Sequence, residues 1–322
     1  MAAALRAALV VAAATAAIAT ATPSAGSAGR SFVVANNTFL RDGVPVTLKS
    51  GEVHYHRIHP AYWADRLQRA AAMGLNAIQV VVPWNFHEVA NGTWDFTGAR
   101  DLPAFLGAAA DAGLLVLLRP GPYICAEHDF GGFPYFLLNV PGMALRTNDS
   151  AYLAYVDRWW RVLLPVVAPY LYTAGGPVTS LQLENEYGSY GNTGGNPNDE
   201  AYMLHLQALA ISLLGDGAAL LYTTDGGSTG YMSHGALPGR VFATGDFGPT
   251  LDPGSAFAAE DAINPPGWHV HIDSEFYPGW LTHWGESMAN ISSLDSAAGL
   301  TAILATNASV SVYMVRGYHS EA

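Results

Sequence analysis

Past residue 30 the chain moves between two hydrophobic rhythms. Short runs rich in branched residues predict β-strands at 46–55, 77–83, 114–120, 178–187, 219–224, 240–246, 268–277 and 309–315. Several are almost unbroken, as in Ile78-Gln79-Val80-Val81-Val82 and Leu114-Leu115-Val116-Leu117-Leu118. Unbroken apolar runs fit parallel strands buried on both faces. Between them, apolar residues recur at helical spacing. One set is Trp63, Leu67, Ala70 and Ala71, a second Leu153, Val156, Trp160, Leu163, Leu164 and Val167, and a third Leu206, Leu209, Ala210 and Leu213. Asn198-Asp199-Glu200 is a start signal for the third helix.

Eight strands with helices between them predict an α/β chain folded as a (β/α)8 barrel. An open doubly wound sheet is the alternative, but no Gly-x-Gly-x-x-Gly follows the first strand. After the eighth strand only Arg316 to Ala322 remain, too few for a closing helix. The expectation is a barrel over 31–322 that is incomplete at its C-terminus.

Met1 to Ala21 reads as a secretory signal: Arg6, an apolar stretch from Ala7 to Ile18, then Ala19-Thr20-Ala21. Residues 22–30 form a Ser/Gly/Ala-rich linker. The apolar stretch is shorter than a membrane span, and no other span is expected in the mature chain. Asn-x-Ser/Thr sequons stand at Asn36, Asn91, Asn148, Asn290 and Asn307. With the signal, they predict a secreted glycoprotein, destined for the exterior, the cell wall, or a lysosome or vacuole.

Composition narrows the chemistry. Half of the 322 residues are hydrophobic and only 12% charged, which excludes a disordered chain or a coiled coil. Acidic residues outnumber basic ones 26 to 14, so no basic stripe is present to bind nucleic acid. Cys125 is the single cysteine, which excludes an intrachain disulfide and a cysteine-rich zinc site.

Barrel enzymes build their sites at the C-terminal ends of the strands. Polar residues gather there: Asn85 to Glu88, Arg119 to Glu127, Gln182 to Tyr187, Asp246, and Asp273 to Tyr277. Amides and carboxylates bond sugar hydroxyls, and aromatic faces pack on sugar C–H groups. Glycoside hydrolysis needs two carboxyls. Glu186 and Glu275 are the candidate pair. Glu184 shares Glu186's face if the strand is regular there, so spacing alone does not choose between them. Trp84, Trp280 and Trp284 are candidate sugar platforms, with wall packing an equal reading for Trp84 and the preferred one for Trp284. His54/His56 and His269/His271 read as hydrogen-bonded structural histidines rather than metal ligands. Cys125 reads as a small buried residue, and Asp225 and Asp246 as structural carboxyls.

The run Gly175-Gly176-Pro177-Val178-Thr179-Ser180-Leu181-Gln182-Leu183-Glu184-Asn185-Glu186-Tyr187-Gly188 resembles the signature of glycoside hydrolase family 35, the β-galactosidases. Gly51-Glu52-Val53-His54-Tyr55, Pro83 to Glu88, Arg119 to Glu127 and Ser274 to Trp280 resemble that family in the same order. The resemblance runs from about Phe39 to about Met314. It implies a retaining exo-β-galactosidase on a (β/α)8 barrel, acting on β-galactosides or galactose-containing glycans without metal or cofactor. Glu186 takes the acid/base role and Glu275 the nucleophile. Glu127 and Asn185 contact the sugar, and Cys125 and Ala126 line it. A nearby Glu275 carboxylate is expected to raise the pKa of Glu186. Two positions depart from the family. Val81 stands where a sugar-binding tyrosine is usual. The chain breaks from the family's terminal loop at Val315-Arg316-Gly317-Tyr318, before a last helix and β-sandwich domains, so a truncated chain that folds poorly or acts weakly is expected. A related β-glycosidase of different sugar preference, or an inactive galactose-binding remnant, stays open beside the main reading.

Overall fold

The computed structural model describes residues 29–190 and 199–315. The expected signal segment, most of the linker and the break after Val315 lie outside them.

Eight parallel strands form the barrel: β1 (Lys49–Gly51), β2 (Ala77–Val81), β3 (Leu115–Arg119), β4 (Val178–Gln182), β5 (Leu220–Gly226), β6 (Phe242–Asp246), β7 (Ile272–Phe276) and β8 (Ser309–Val312). β8 pairs with β1 through Val310 and Lys49. A bridge from Glu52 to Gln79, with Val53 N donating to Gln79 O at 3.0 Å, joins β1 to β2 and closes the ring. Each strand up to β7 is followed by a helix: α1 (Trp63–Ala72), α2 (Leu102–Asp111), α3 (Ser150–Val167), α4 (Glu200–Leu214), α5 (Thr229–Gly235), α6 (Pro253–Ile263) and α7 (Ser293–Ala305). The expected strands are all present, most of them shorter, while the fifth runs on to Gly226. The first contracts from 46–55 to Lys49–Gly51, and Tyr55 opens a 3-10 turn.

The helices start where side chains satisfy free N–H groups. Asp149 caps α3 by accepting from Tyr152 N at 2.9 Å, and Asp199 caps α4 by accepting from Tyr202 N at 3.2 Å. The inward stripes, Trp63/Leu67/Ala70 and Val156/Trp160/Leu163/Val167, are buried against the outer faces of Ile78, Val80, Val116 and Leu118.

The inside of the barrel is polar. Gln79 donates to Tyr222 Oη at 3.2 Å, and Ser311 donates to Gln79 Oε1 at 2.6 Å. Thr224 donates to Gln182 Oε1 at 3.1 Å, and Thr244 to Ser274 Oγ at 2.7 Å. In a medium without water these groups are tolerated because they bond one another, while the buried Ser50 and Ser180 hydroxyls have no partner among the described residues.

An antiparallel sheet of Phe32–Ala35, Thr38–Arg41 and Val44–Val46 closes the barrel's floor. Its first turn, Asn36-Asn37, has φ of 53° and 57°, a conformation asparagine tolerates in two-residue hairpins. Phe39 stacks on Phe32 and meets Phe242 edge-on, both with centroids 5.7 Å apart. Among the described residues no helix is long and apolar enough to cross a membrane.

Candidate active site

The strand ends at the C-terminal rim surround a cavity of about 350 Å³. Cys125, Ala126 and Glu127 line it from the loop after β3, Glu186 from the loop after β4, and Glu275 from β7. Tyr277, Trp280 and Tyr313 complete much of the wall.

Local backbone places each carboxyl. β4 ends at Gln182, and Glu184 and Glu186 follow at φ of 64° and 44°. The strand is not regular there, so the two glutamates do not share a face. Glu184 turns inward and loses all side-chain exposure against Arg146, 2.6 Å away. Glu186 opens to the cavity. Its N–H donates to Thr224 O at 2.9 Å, and Asn185 Nδ2 lies 3.3 Å from its Oε2. Glu275 sits where the β7–β8 register slips between Asp273 and Phe276. Its neighbour Ser274 points into the polar barrel layer, and such an irregularity re-aims the next side chain.

Cys125, Ala126 and Glu127 hold φ of 55°, 58° and 43° in succession. Left-handed non-glycine residues cost ~1–3 kcal/mol each. Arg57 Nη2 donates to the carbonyls of Ala126 and Glu127, both at 2.9 Å, and offsets part of that cost. Tyr313 donates its hydroxyl to Glu127.

One buried cation organises the floor of the site. Arg119 ends β3 and is 2% exposed. Its Nη1 lies 2.5 Å from Glu52 and 2.9 Å from Glu275, and its Nη2 donates to Asn185. Glu52 is held on its other oxygen by His54 Nε2 at 2.6 Å. Glu275 is 13% exposed along its side chain. Burial pushes its carboxyl up to about 8, against the pull of Arg119 and with the push of Glu52, Glu186 and Glu127. The rise follows from the desolvation of this carboxyl among its acidic neighbours.

Of the sequence candidates, Glu186, Glu275, Glu127, Cys125 and Ala126 meet in one cavity. Asn185 lies beneath the wall, 2% exposed, bonded to Arg119, Gln182 and Glu186. Burial, together with Glu186 and Glu275, pushes the Cys125 thiol up, so it stays protonated. Trp84 is wall packing: fully buried, it stacks on Trp159 at 6.0 Å and donates to Glu88 at 2.6 Å. Trp284, expected in the wall, is fully exposed in the loop after β7. His54 is hydrogen-bonded as expected, but neither ring nitrogen of the half-buried His56 has a hydrogen-bond partner among the described residues, and its ring stacks on His128 at 5.3 Å. His269 and His271 bond Asn264 O and Asp261 at 3.1 and 3.0 Å. No group of three or more His, Cys, Asp or Glu among the described residues is arranged to hold a metal ion.

Asp225 accepts Gly188 N at 2.6 Å and so supports the segment after Glu186. Asp246 is buried with neither oxygen bonded among the described residues. Burial and the surrounding carboxylates push its carboxyl well above the usual range. Val81 packs with Ile124 and Ala126, an apolar patch behind the cavity wall. Arg119 and Tyr277 were placed at the rim by the sequence without a role, and Tyr313 was not placed. A lone arginine closing a run of leucines was the available signal for the first.

The model of the family described as Glycosyl hydrolases family 35 matches residues 38–319. Beta-galactosidase 8 of Oryza sativa subsp. japonica is 47% identical over 91% of this chain and 43% of its own length. Beta-galactosidase 17 of Arabidopsis thaliana is 47% identical over 89% of this chain and 41% of its own, and Beta-galactosidase of Homo sapiens 46% over 87% and 40%. The chain thus spans about two fifths of the length of these curated relatives. Among solved structures, the exo-beta-1,4-mannosidase Op5Man5 from Opitutaceae bacterium strain TAV5 superposes with a TM-score of 0.63 at 14% identity, covering 89% of this chain and 56% of that one. At that identity the likeness is one of fold.

Proposed function

The chain belongs to family 35 of the glycosyl hydrolases, and from that membership we propose that it is a retaining β-galactosidase that releases terminal, non-reducing β-D-galactose by double displacement. The observation that carries the reading is a pair of carboxyls in one cavity, of which Glu275 touches Arg119 and Glu186 does not.

Arg119 favours the arrangement in which Glu275 carries the charge and the proton shared by the pair sits across the cavity. Glu275 attacks the anomeric carbon, and Glu186 gives its proton to the leaving oxygen as the glycosidic bond breaks. Esterification removes a negative charge from beside Glu186, which then takes a proton from water. That water attacks the anomeric carbon, the ester to Glu275 breaks, and galactose leaves with its configuration retained. Glu127 and the aromatic wall of Tyr277 and Trp280 are suited to hold the sugar, and Asn185 to orient Glu186.

The test is hydrolysis of a panel of nitrophenyl β-glycosides by the chain. Faster turnover of the galactoside than of the glucoside or fucoside is expected. The reverse order overturns the galactose preference in favour of a related glycosidase, a reading that Val81 supports because it offers no hydroxyl to a sugar. We further place the protein in the secretory pathway as a glycoprotein. The signal-like N-terminus supports this, as does the exposure of Asn36, Asn91, Asn148, Asn290 and Asn307 on turns and loops.

A further inference from the structure

The segment that bears Glu186 is strained on both sides of Asn185 and needs an anchor outside the cavity. That anchor is Glu184. Arg146 reaches its Oε2 through Nη2 at 2.6 Å and through Nε at 3.1 Å, and Tyr202 donates to its Oε1 at 2.7 Å. The same Nη2 donates to Asn185 O at 2.7 Å. Arg146 also grips the other side of Glu186. The short helix Tyr187–Tyr190 follows Glu186 directly. Its first and last rings carry the Arg146 guanidinium at 5.6 and 4.3 Å. The hydroxyls of those tyrosines donate to Arg146 O at 2.8 Å and to Leu145 O at 2.9 Å. One guanidinium therefore ties the backbone before Glu186 to the backbone after it. It neither lines the cavity nor bonds Glu186.

We propose that Arg146, acting through Glu184, Asn185 and the Tyr187–Tyr190 turn, is the positioning residue that aims the Glu186 carboxyl at the leaving oxygen. The proposal rests on the glycosidase reading. A planar fork suits the task because it fixes carboxylate and carbonyl together, which a lysine ammonium does not.

A misaimed acid damages proton transfer and leaves nucleophilic attack intact. The loss must then depend on the leaving group. A dinitrophenyl β-galactoside departs without a proton, whereas an alkyl β-galactoside needs one. The experiment compares kcat/KM on both substrates for the wild-type chain, Arg146→Lys and the double variant Arg146→Gln/Glu184→Gln. The double variant leaves no lone charge buried, so it keeps the test readable if a single change harms folding. Both variants are expected to lose about 10²-fold on the alkyl glycoside and less than about threefold on the dinitrophenyl one. Added azide should raise their kcat on the dinitrophenyl substrate and not that of the wild type, because azide attacks the anomeric carbon without a base and displaces Glu275 as carboxylate. Equal losses on both substrates, or none on either, overturn the role of Arg146. A wild-type chain inactive on both overturns the glycosidase reading itself, and the proposal with it.

Discussion

At the floor of the barrel Phe32, Phe39, Leu48 and Phe242 are buried ring against ring and chain against chain. Left-handed backbone there sits in turns such as Asn36-Asn37 and Asn307, away from the packed side chains. At the rim Cys125, Ala126, Glu127, Phe130, Arg146, Glu184 and Glu186 hold positive φ in the connections after β3 and β4. Buried charges replace buried rings: Arg119 and Arg146 each face carboxylates below the cavity. The floor gains stability from area removed from water, ~25 cal/mol per Å² of apolar surface. The rim gives up stability to hold carboxyls close together and to aim them. The same fold thus keeps its robustness at one end and its reactive geometry at the other.

The sharpest way to test the contrast is to remove the nucleophile. Glu275→Gln should reduce kcat on a nitrophenyl β-galactoside by about 10⁴-fold or more. Its Tm should hold or rise, since one carboxyl leaves a crowded acidic site while Arg119 keeps Glu52. A large fall in Tm would show that the rim bears stability as the floor does. The converse change is Phe39→Ala. It should cost ~3–5 kcal/mol by denaturant unfolding and leave kcat per folded molecule unchanged. A loss of kcat with no loss of stability would break the division between the two ends.

The smallest effect expected is on pH. With Glu275 pushed up to about 8, the pair keeps its shared proton below that pH and loses it above. Once both carboxyls are ionised no acid remains, so kcat/KM should fall about tenfold per unit as pH rises through about 8. A profile flat from neutral pH well past that point would mean that the crowding of Glu52, Glu127, Glu186 and Glu275 does not hold a proton in the site.

The two ends also differed in how far they could be read in advance. The barrel strands were legible because both faces are buried, as the runs through Ile78–Val82 and Leu114–Leu118 show. The floor sheet escaped notice, although Phe32 and Val34 alternate with exposed positions ahead of an Asn-Asn turn. Helices α2, α5, α6 and α7 were not marked either. In the last three the buried faces are made of few side chains, several of them small, such as Ala256 and Ala259 in α6, which leave a faint periodic signal. At the rim Glu186 and Glu275 were paired as strand-end carboxyls, and the family resemblance gave them their roles and put Glu127 on the sugar. Alternation could not separate Glu184 from Glu186, because the strand ends at Gln182 and left-handed backbone turns the two apart. Arg119 and Arg146 act through contacts 66 and 38 residues away, with Asn185 and Glu184, and only the folded chain brings those partners together.

The most direct test of the account is to trap the intermediate. A 2-deoxy-2-fluoro galactoside with an activated leaving group forms the glycosyl ester and hydrolyses it slowly. The chain should gain the mass of one fluorogalactosyl group, and peptide mapping should place it on Glu275. A label on Glu186 or Glu127, or steady turnover of galactosides with no labelled carboxyl, would contradict the assignment of nucleophile and acid.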